Sequence, residues 1–383
     1  MVMKEKISIP IYALCFCISF LFLCNSPTLG IRFYLPVFLP TLIIGVIYLF
    51  KYKIYFGLEH YVLSILFIIY IIHLNTSLEF LGPQNTSILS ETVLMLFFFI
   101  FSFYRINIRE LKLIINSFVF AGTGFSIYLI FFHFPLGLGH YTIRPMFGPY
   151  AFMDPNYLSA FMVMPTIILA KKILFDKISF LYFFLFIINL VSTMLTGSRA
   201  ATIAIFISVL YLCLKKIKIK NIIILLIFSS IVYVFISLFL QEDLIQRLFV
   251  NSYFDTSNSK RVFLWKHSLN YTIEHNLFFG SGLVKISDIF TMASSHSHSS
   301  FIDIFATSGL VGFFSFFILL LYIFYHLSNK HLVLFQALFI AFIFVYIIIA
   351  GTTSFAFWLM LLLFVFVIKF NIKNPNIDLW RNL

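Results

Sequence analysis

Polar residues interrupt this chain mostly at spacings of about twenty positions, and between them lie near-continuous stretches of Leu, Ile, Val, Phe and Tyr. A run of that length crosses a hydrocarbon core of about 30 Å as an α-helix. Twelve runs are legible, at 7–24, 33–50, 57–74, 88–104, 113–134, 156–174, 178–195, 200–214, 221–240, 300–326, 332–350 and 355–370. They predict helices, because membrane strands would alternate apolar and polar residues with a period of two. Two segments on one side of the membrane are long enough to build a site, 135–155 and 241–298. In the second, Asp255-Thr-Ser-Asn-Ser259 is a turn and cap signal, and Val262, Trp265, Leu269, Ile273 and Leu277 recur at helical spacing until Gly280. That pattern predicts an amphipathic helix from about 260 to 277, lying at the membrane surface within a large loop at 241–298. The expectation is an all-α polytopic membrane protein of about twelve spans, with residues 1–383 forming a single integral membrane domain.

Composition agrees with the pattern. The chain is 62% hydrophobic and 10% charged, against about half and a quarter in globular domains. Cys15, Cys17, Cys24 and Cys213 lie in or at the ends of apolar runs, which argues against a disulfide framework or a metal cluster. Bulky Leu23 stands where a cleavage site needs a small residue, so the first run reads as a retained helix rather than a signal peptide. Basic residues orient the chain: with the N-terminus cytoplasmic, 18 of the 26 Lys and Arg fall on inner segments and 8 on outer ones. The net charge of +12 is mostly this bias and gives no reason to invoke nucleic acid. Arginine makes up 3 of the 18 inner residues but 5 of the 8 outer ones. Lysine suffices at an anionic leaflet, whereas the planar guanidinium grips phosphate or carboxylate with a fork of donors, so the outer face reads as built for an anion.

Four outer elements carry the candidate chemistry. They are Arg144 with Asp154-Pro-Asn156; Thr196-Gly-Ser198-Arg199 at a helix start; Arg261 with Trp265 and Gly280-Ser-Gly282; and His296-Ser-His298 followed by Gly309 and Gly312. The two glycines, three apart inside an apolar run, allow close approach of a neighbouring helix. In order and spacing, residues 144–312 resemble the O-antigen ligase and polymerase superfamily, most closely where His298-Ser299 precedes Gly309-x-x-Gly312. The resemblance implies a fold related to the GT-C membrane glycosyltransferases, in the bacterial inner membrane with its active site facing the periplasm. It also implies a donor oligosaccharide on undecaprenyl diphosphate, membrane lipid around the site, and a chain-length regulator as a partner. His298 is then the catalytic base, and Arg144, Arg199, Arg261, Trp265 and His296 are substrate-binding candidates. No outer Asp-x-Asp pair or carboxylate cluster stands ready for Mg²⁺, so the expectation is a metal-independent inverting transfer with no cofactor.

Each residue also has an ordinary structural reading. Arg144 before Pro145 could fix a loop, Arg199 could anchor a helix end at the interface, and Arg261 could pair with Asp255 or Glu274. Trp265 suits an interfacial anchor, His296 a loop residue, and Asp154 and Asn156 a helix cap. The segment from Arg144 to Asn156, with its Asp-Pro-Asn ending, looks more polymerase-like than ligase-like, so the resemblance implies a repeat-unit polymerase first; a ligase onto lipid A-core is the close alternative. A lipid-linked oligosaccharide flippase is the remaining one, and it would place ionisable groups near the midplane.

The orientation is open to direct measurement. Reporter fusions or cysteine labels after residues 53, 110, 174, 218 and 330 are expected on the cytoplasmic side, and those at 148, 258 and 285 on the opposite side. An external 218 with a cytoplasmic 258 would invert the topology.

Overall fold

A backbone with no water around it must satisfy its own N–H and C=O groups, and continuous apolar sequence does so by coiling. A computed structural model describes residues 7–19, 30–50, 56–77, 86–130, 155–176, 179–196, 198–215, 230, 256–282, 299–328, 330–349 and 354–379. All regular structure among them is helical: α1 Ile9–Ser19, α2 Gly30–Leu49, α3 Leu58–Ser77, α4 Thr86–Ser102, α5 Ile108–Tyr128 and α6 Pro155–Phe175. They continue with α7 Phe180–Leu195, α8 Arg199–Lys215, α9 Thr256–Asn276, α10 Ser300–Leu327, a short 3-10 turn Lys330–Leu332, α11 Val333–Ile348 and α12 Phe355–Lys373. Eleven of the twelve expected spans coincide with helices; the run 221–240, apart from Ser230, lies outside the described residues. Among the described residues, Ile108–Tyr128, Leu158–Phe175, Ser300–Leu327 and Ala356–Lys373 are long and apolar enough to cross a membrane, and six apolar helices are shorter. The architecture is that of a polytopic membrane protein.

Burial distinguishes helices that the sequence makes look alike. α6 and α12 are enclosed: every residue from Leu158 to Ala170 and from Ala356 to Ile368 is buried. α12 packs against α4, α5, α6, α10 and α11. On α3, by contrast, Tyr61, Ile65, Ile68 and Ile72 form an exposed stripe at helical spacing, as do Phe314, Phe317, Ile318 and Leu321 on α10. These stripes are suited to lipid. Between α5, α6 and α7 the packing uses small and polar groups: Gly122 leaves room for the Pro165 ring, Asn189 Nδ2 donates to Thr123 Oγ1 at 3.1 Å, and Ser192 Oγ donates to the Ser126 carbonyl at 3.1 Å.

Charges gather at one end of the bundle. Glu59, in the first turn of α3, is 1% exposed and pairs with Lys369 of α12 at 3.0 Å, and the same ammonium donates to the Ser102 carbonyl at the end of α4. His60 accepts from the Gly57 amide at Nδ1 (2.8 Å) and stacks on Phe103 at 4.0 Å. Lys171 Nζ donates to both carboxylate oxygens of Asp176 at 3.0 Å, and Glu110 accepts from the amides of Ser8 (2.7 Å) and Asn107 (2.9 Å). This is the end that the basic residues assign to the cytoplasm. Lys171 and Lys369 were counted there as leaflet anchors, yet both are drawn into the protein by carboxylates.

Breaking the Glu59–Lys369 pair on one side leaves a buried charge without its partner. Lys369→Met alone is expected to cost about 3–5 kcal/mol, seen as a lower Tm and lower folded yield in detergent, with Glu59→Leu added to it recovering much of the loss. A single variant as stable as the wild type would remove the pair from the frame.

Candidate functional site

The end opposite these charges assembles around α10. Ser300, the first residue of α10, donates from its amide (3.2 Å) and its Oγ (2.7 Å) to the Ile349 carbonyl at the end of α11. α8 runs antiparallel to α11, in a register set by Ser208 Oγ donating to the Ala337 carbonyl at 2.9 Å and Tyr211 OH donating to Gln336 Oε1 at 2.5 Å. Nine residues further along each helix is about 13 Å, which brings Arg199 level with Tyr346. The starts of α8 and α10 therefore both lie at one end of α11. Arg199 is half-buried there. Ahead of it, Thr196 Oγ1 donates to the Thr193 carbonyl at 2.6 Å and accepts from the Ser198 amide at 3.3 Å. Ser198 Oγ is buried with no hydrogen-bond partner among the described residues. A helix N-terminus, a guanidinium and an unsatisfied hydroxyl together suit an anion.

α10 is not a continuous helix. At Gly309 (φ 63°, ψ −162°) the backbone enters a region open essentially to glycine alone, and the helix bends. The bend separates the Ala306 carbonyl from the Leu310 amide, which would be partners in an unbroken helix. The segment following α9 takes both: the Ser281 amide donates to Ala306 O (2.9 Å), and the Leu310 amide donates to Leu277 O (2.9 Å). The Val311 amide donates to Phe278 O at 3.1 Å. The backbones touch so closely that a Cβ on Gly280 would lie 2.4 Å from the Thr307 carbonyl, and one on Gly309 2.4 Å from that of Phe278. Gly280 (φ 77°) and Gly282 (φ 70°) also need the left-handed region. The close approach expected at Gly309 and Gly312 is real at Gly309, although its partner is a helix end. At Gly312 the tight neighbour is Ser308 of the same helix, with Leu66 of α3 beyond it.

The loop helix extends from Thr256 to Asn276. Its buried side is Leu264, Ser268 and Thr272, whereas Val262 and Ile273 of the expected apolar stripe are exposed and Trp265, Leu269 and Leu277 half-buried. Its end reaches the α10 bend, about 13 Å along α10 from Ser300, and bonds there to the α10 backbone. Arg261 is half-buried, on the same side of α9 as Ser268 and Thr272. Leu277 is about 24 Å further along the chain axis, so Arg261 stands well away from the crossing.

Arg144, His296 and His298 lie outside the described residues, as does Asp154; Ser299, which follows His298, is buried at the start of α10. The structure thus brings Arg199 and the α10 start to one end of α11 and locks the end of α9 into the α10 bend, with Arg261 and Trp265 further back along α9. One site residue was missed. His73 of α3 donates from Nε2 to the Phe279 carbonyl at 2.8 Å, and its ring lies against Gly282. The available signal was an ionisable side chain near the end of an apolar run.

Alanine at Gly309 or Gly280 is expected to fail, since each position combines a glycine-only backbone region, about 1–3 kcal/mol of strain, with a collision against backbone. Little folded protein should be recovered from either variant by detergent extraction and gel filtration. Normal recovery of Gly309→Ala would mean that α10 can straighten.

No curated protein matches this chain. Residues 184–317 match a family model described as O-antigen ligase, a stretch that contains Arg199, Arg261, His298 and the Gly309 bend but not Arg144. Over that stretch, about a third of the sequence, the chain is similar to the O-antigen ligase family, which supports the resemblance to the O-antigen ligase and polymerase superfamily.

Proposed function

We propose that the protein is a repeat-unit polymerase: an inverting membrane glycosyltransferase that moves a growing surface glycan from undecaprenyl diphosphate to a hydroxyl of an incoming lipid-linked repeat unit. The observation that carries this reading is the placement of the α8 start, with Ser198 and Arg199, and the α10 start, which follows His298 in sequence, at the same end of α11 within the matched residues. The proposal extends to about twelve spans in the bacterial inner membrane, a GT-C-like arrangement, a periplasmic site and association with a chain-length regulator.

In the proposed reaction the acceptor oxygen attacks the anomeric carbon, and the bond from that carbon to the diphosphate oxygen breaks. The acceptor proton passes to His298, and the lipid diphosphate leaves with the electron pair. Charge growing on the diphosphate is stabilised by Arg199 at the α8 N-terminus, with Arg144 and Arg261 as further guanidinium donors. Trp265 and His296 contact the saccharide. The arginines supply the positive charge that a metal would otherwise provide.

The second reading is transfer of the glycan to lipid A-core, favoured by the description of the matching family as a ligase. Donor and base would be the same; only the acceptor differs. A flippase finds no support in that match.

One assay separates these readings: purified protein in EDTA, undecaprenyl diphosphate-linked oligosaccharide as donor, and either a lipid-linked repeat unit or lipid A-core as acceptor. Elongation of the repeat unit is expected, and transfer only to lipid A-core would establish the ligase. His298→Ala should lower the rate by about 10² to 10⁴ with donor binding retained, while His296→Ala keeps a substantial fraction. Arg261→Lys should lose most activity, since a point charge does not reproduce the fork. Wild-type rates in His298→Ala would remove the proposed base, and activity lost on chelation would overturn metal independence.

A further inference from the structure

His73 is set apart from the residues considered so far. It lies on α3, outside the matched stretch, near the end of a helix that carries no motif. Yet α3 packs along α10 for most of its length. Leu66 sits against Gly312, and one end of α3 holds Glu59 within electrostatic reach of Tyr322 and His326 near the end of α10. Continuing the antiparallel register the other way brings His73 level with the bend, where its Nε2 meets the Phe279 carbonyl at 2.8 Å. A carbonyl oxygen can only accept, so the proton of that bond is on Nε2.

Phe279 stands between the two residues that make the crossing. The Phe278 carbonyl accepts from Val311, and the Gly280 amide closes the last turn of α9 by donating to the Asn276 carbonyl at 2.9 Å. Its own amide donates to Asn276 Oδ1 at 3.2 Å, and its carbonyl goes to His73. The three-residue segment is therefore held from three sides, by α9, by α10 and by α3. Phe278 and Phe279 themselves are 62% and 53% exposed, so their side chains contribute little to fixing it.

We propose that His73 is a positioning residue for the transfer reaction. By pinning the Phe279 carbonyl it holds the α9 end in the α10 bend, and so fixes the direction of the first turn of α10, with the residues just before it, at the end of α11 that the α8 start shares. It acts through the crossing and does not touch the reacting atoms. This inference rests on the transferase reading above.

The test compares His73→Leu, which removes the donor, with His73→Gln, whose side-chain amide can donate to the same carbonyl. Two readouts are needed. In the transfer assay with undecaprenyl diphosphate-linked oligosaccharide, His73→Leu should lower kcat by about tenfold to a hundredfold with KM for donor little changed, and His73→Gln should restore most of it. In hydrogen–deuterium exchange of the whole protein, the amides of Ser281, Leu310 and Val311 should exchange faster in His73→Leu and return toward wild-type rates in His73→Gln. If His73→Leu does not yield folded protein, His73→Met against His73→Gln gives the same contrast. Wild-type kcat and wild-type exchange in the leucine or methionine variant would overturn the proposal, as would equal losses in the glutamine variant. If the wild-type protein transfers no glycan, the transferase reading fails by itself, and the exchange rates still decide whether His73 holds the crossing.

Discussion

A buried helix that bends must find new partners for the backbone groups it releases, and this requirement shapes the site. In a bilayer each unsatisfied amide or carbonyl costs several kcal/mol. At Gly309 the released pair is the Ala306 carbonyl and the Leu310 amide, and residues 277–281 meet both with groups of their own. The α9 end thus makes three backbone hydrogen bonds across the junction, two of them to the released pair. Side chains would hold the backbones apart, which is why glycine occupies both sides of the contact. The bend and the helix end therefore require each other.

The two ends of the bundle are stabilised by different means. At one end carboxylates and ammonium groups are drawn inward and paired, Glu59 with Lys369 and Lys171 with Asp176. The first pair ties α3 to α12, and the second closes the end of α6; both leave little uncompensated charge. At the other end the joints are made of backbone groups and hydroxyls: Ser300 on Ile349, Thr196 on Thr193, the glycine crossing and His73 on Phe279. The positive charge of Arg199 and of the α8 N-terminus stands at this end, an arrangement suited to an anion.

Much of the frame was legible in the residues. Continuous apolar runs without a two-residue alternation predict helices, and eleven of the twelve coincide with described helices. The cap signal at 255–259 and the spacing after it located the loop helix to within a few residues of Thr256–Asn276. Its buried side was not legible. The stripe Val262, Trp265, Leu269, Ile273 and Leu277 is the more apolar one, but Leu264, Ser268 and Thr272 are the buried residues. Where lipid surrounds a protein, apolarity marks the lipid face and the protein face alike, and small polar residues pack between helices.

The sequence by itself determined the helical class, the spacing of the spans and the order in which arginines, histidines and glycines come along the chain. It set these because apolar length and local backbone preference act over a few neighbouring residues. Tertiary structure alone decided that α6 and α12 are enclosed while α3 and α10 carry exposed stripes, that α10 bends at Gly309 against the end of α9, and that His73 meets the Phe279 carbonyl. Those outcomes depend on which backbone groups meet across more than 200 positions, as His73 and Phe279 do with a separation of 206 residues. No local pattern encodes a hydrogen bond of that reach, because its partner is chosen by the packing of α3 along α10.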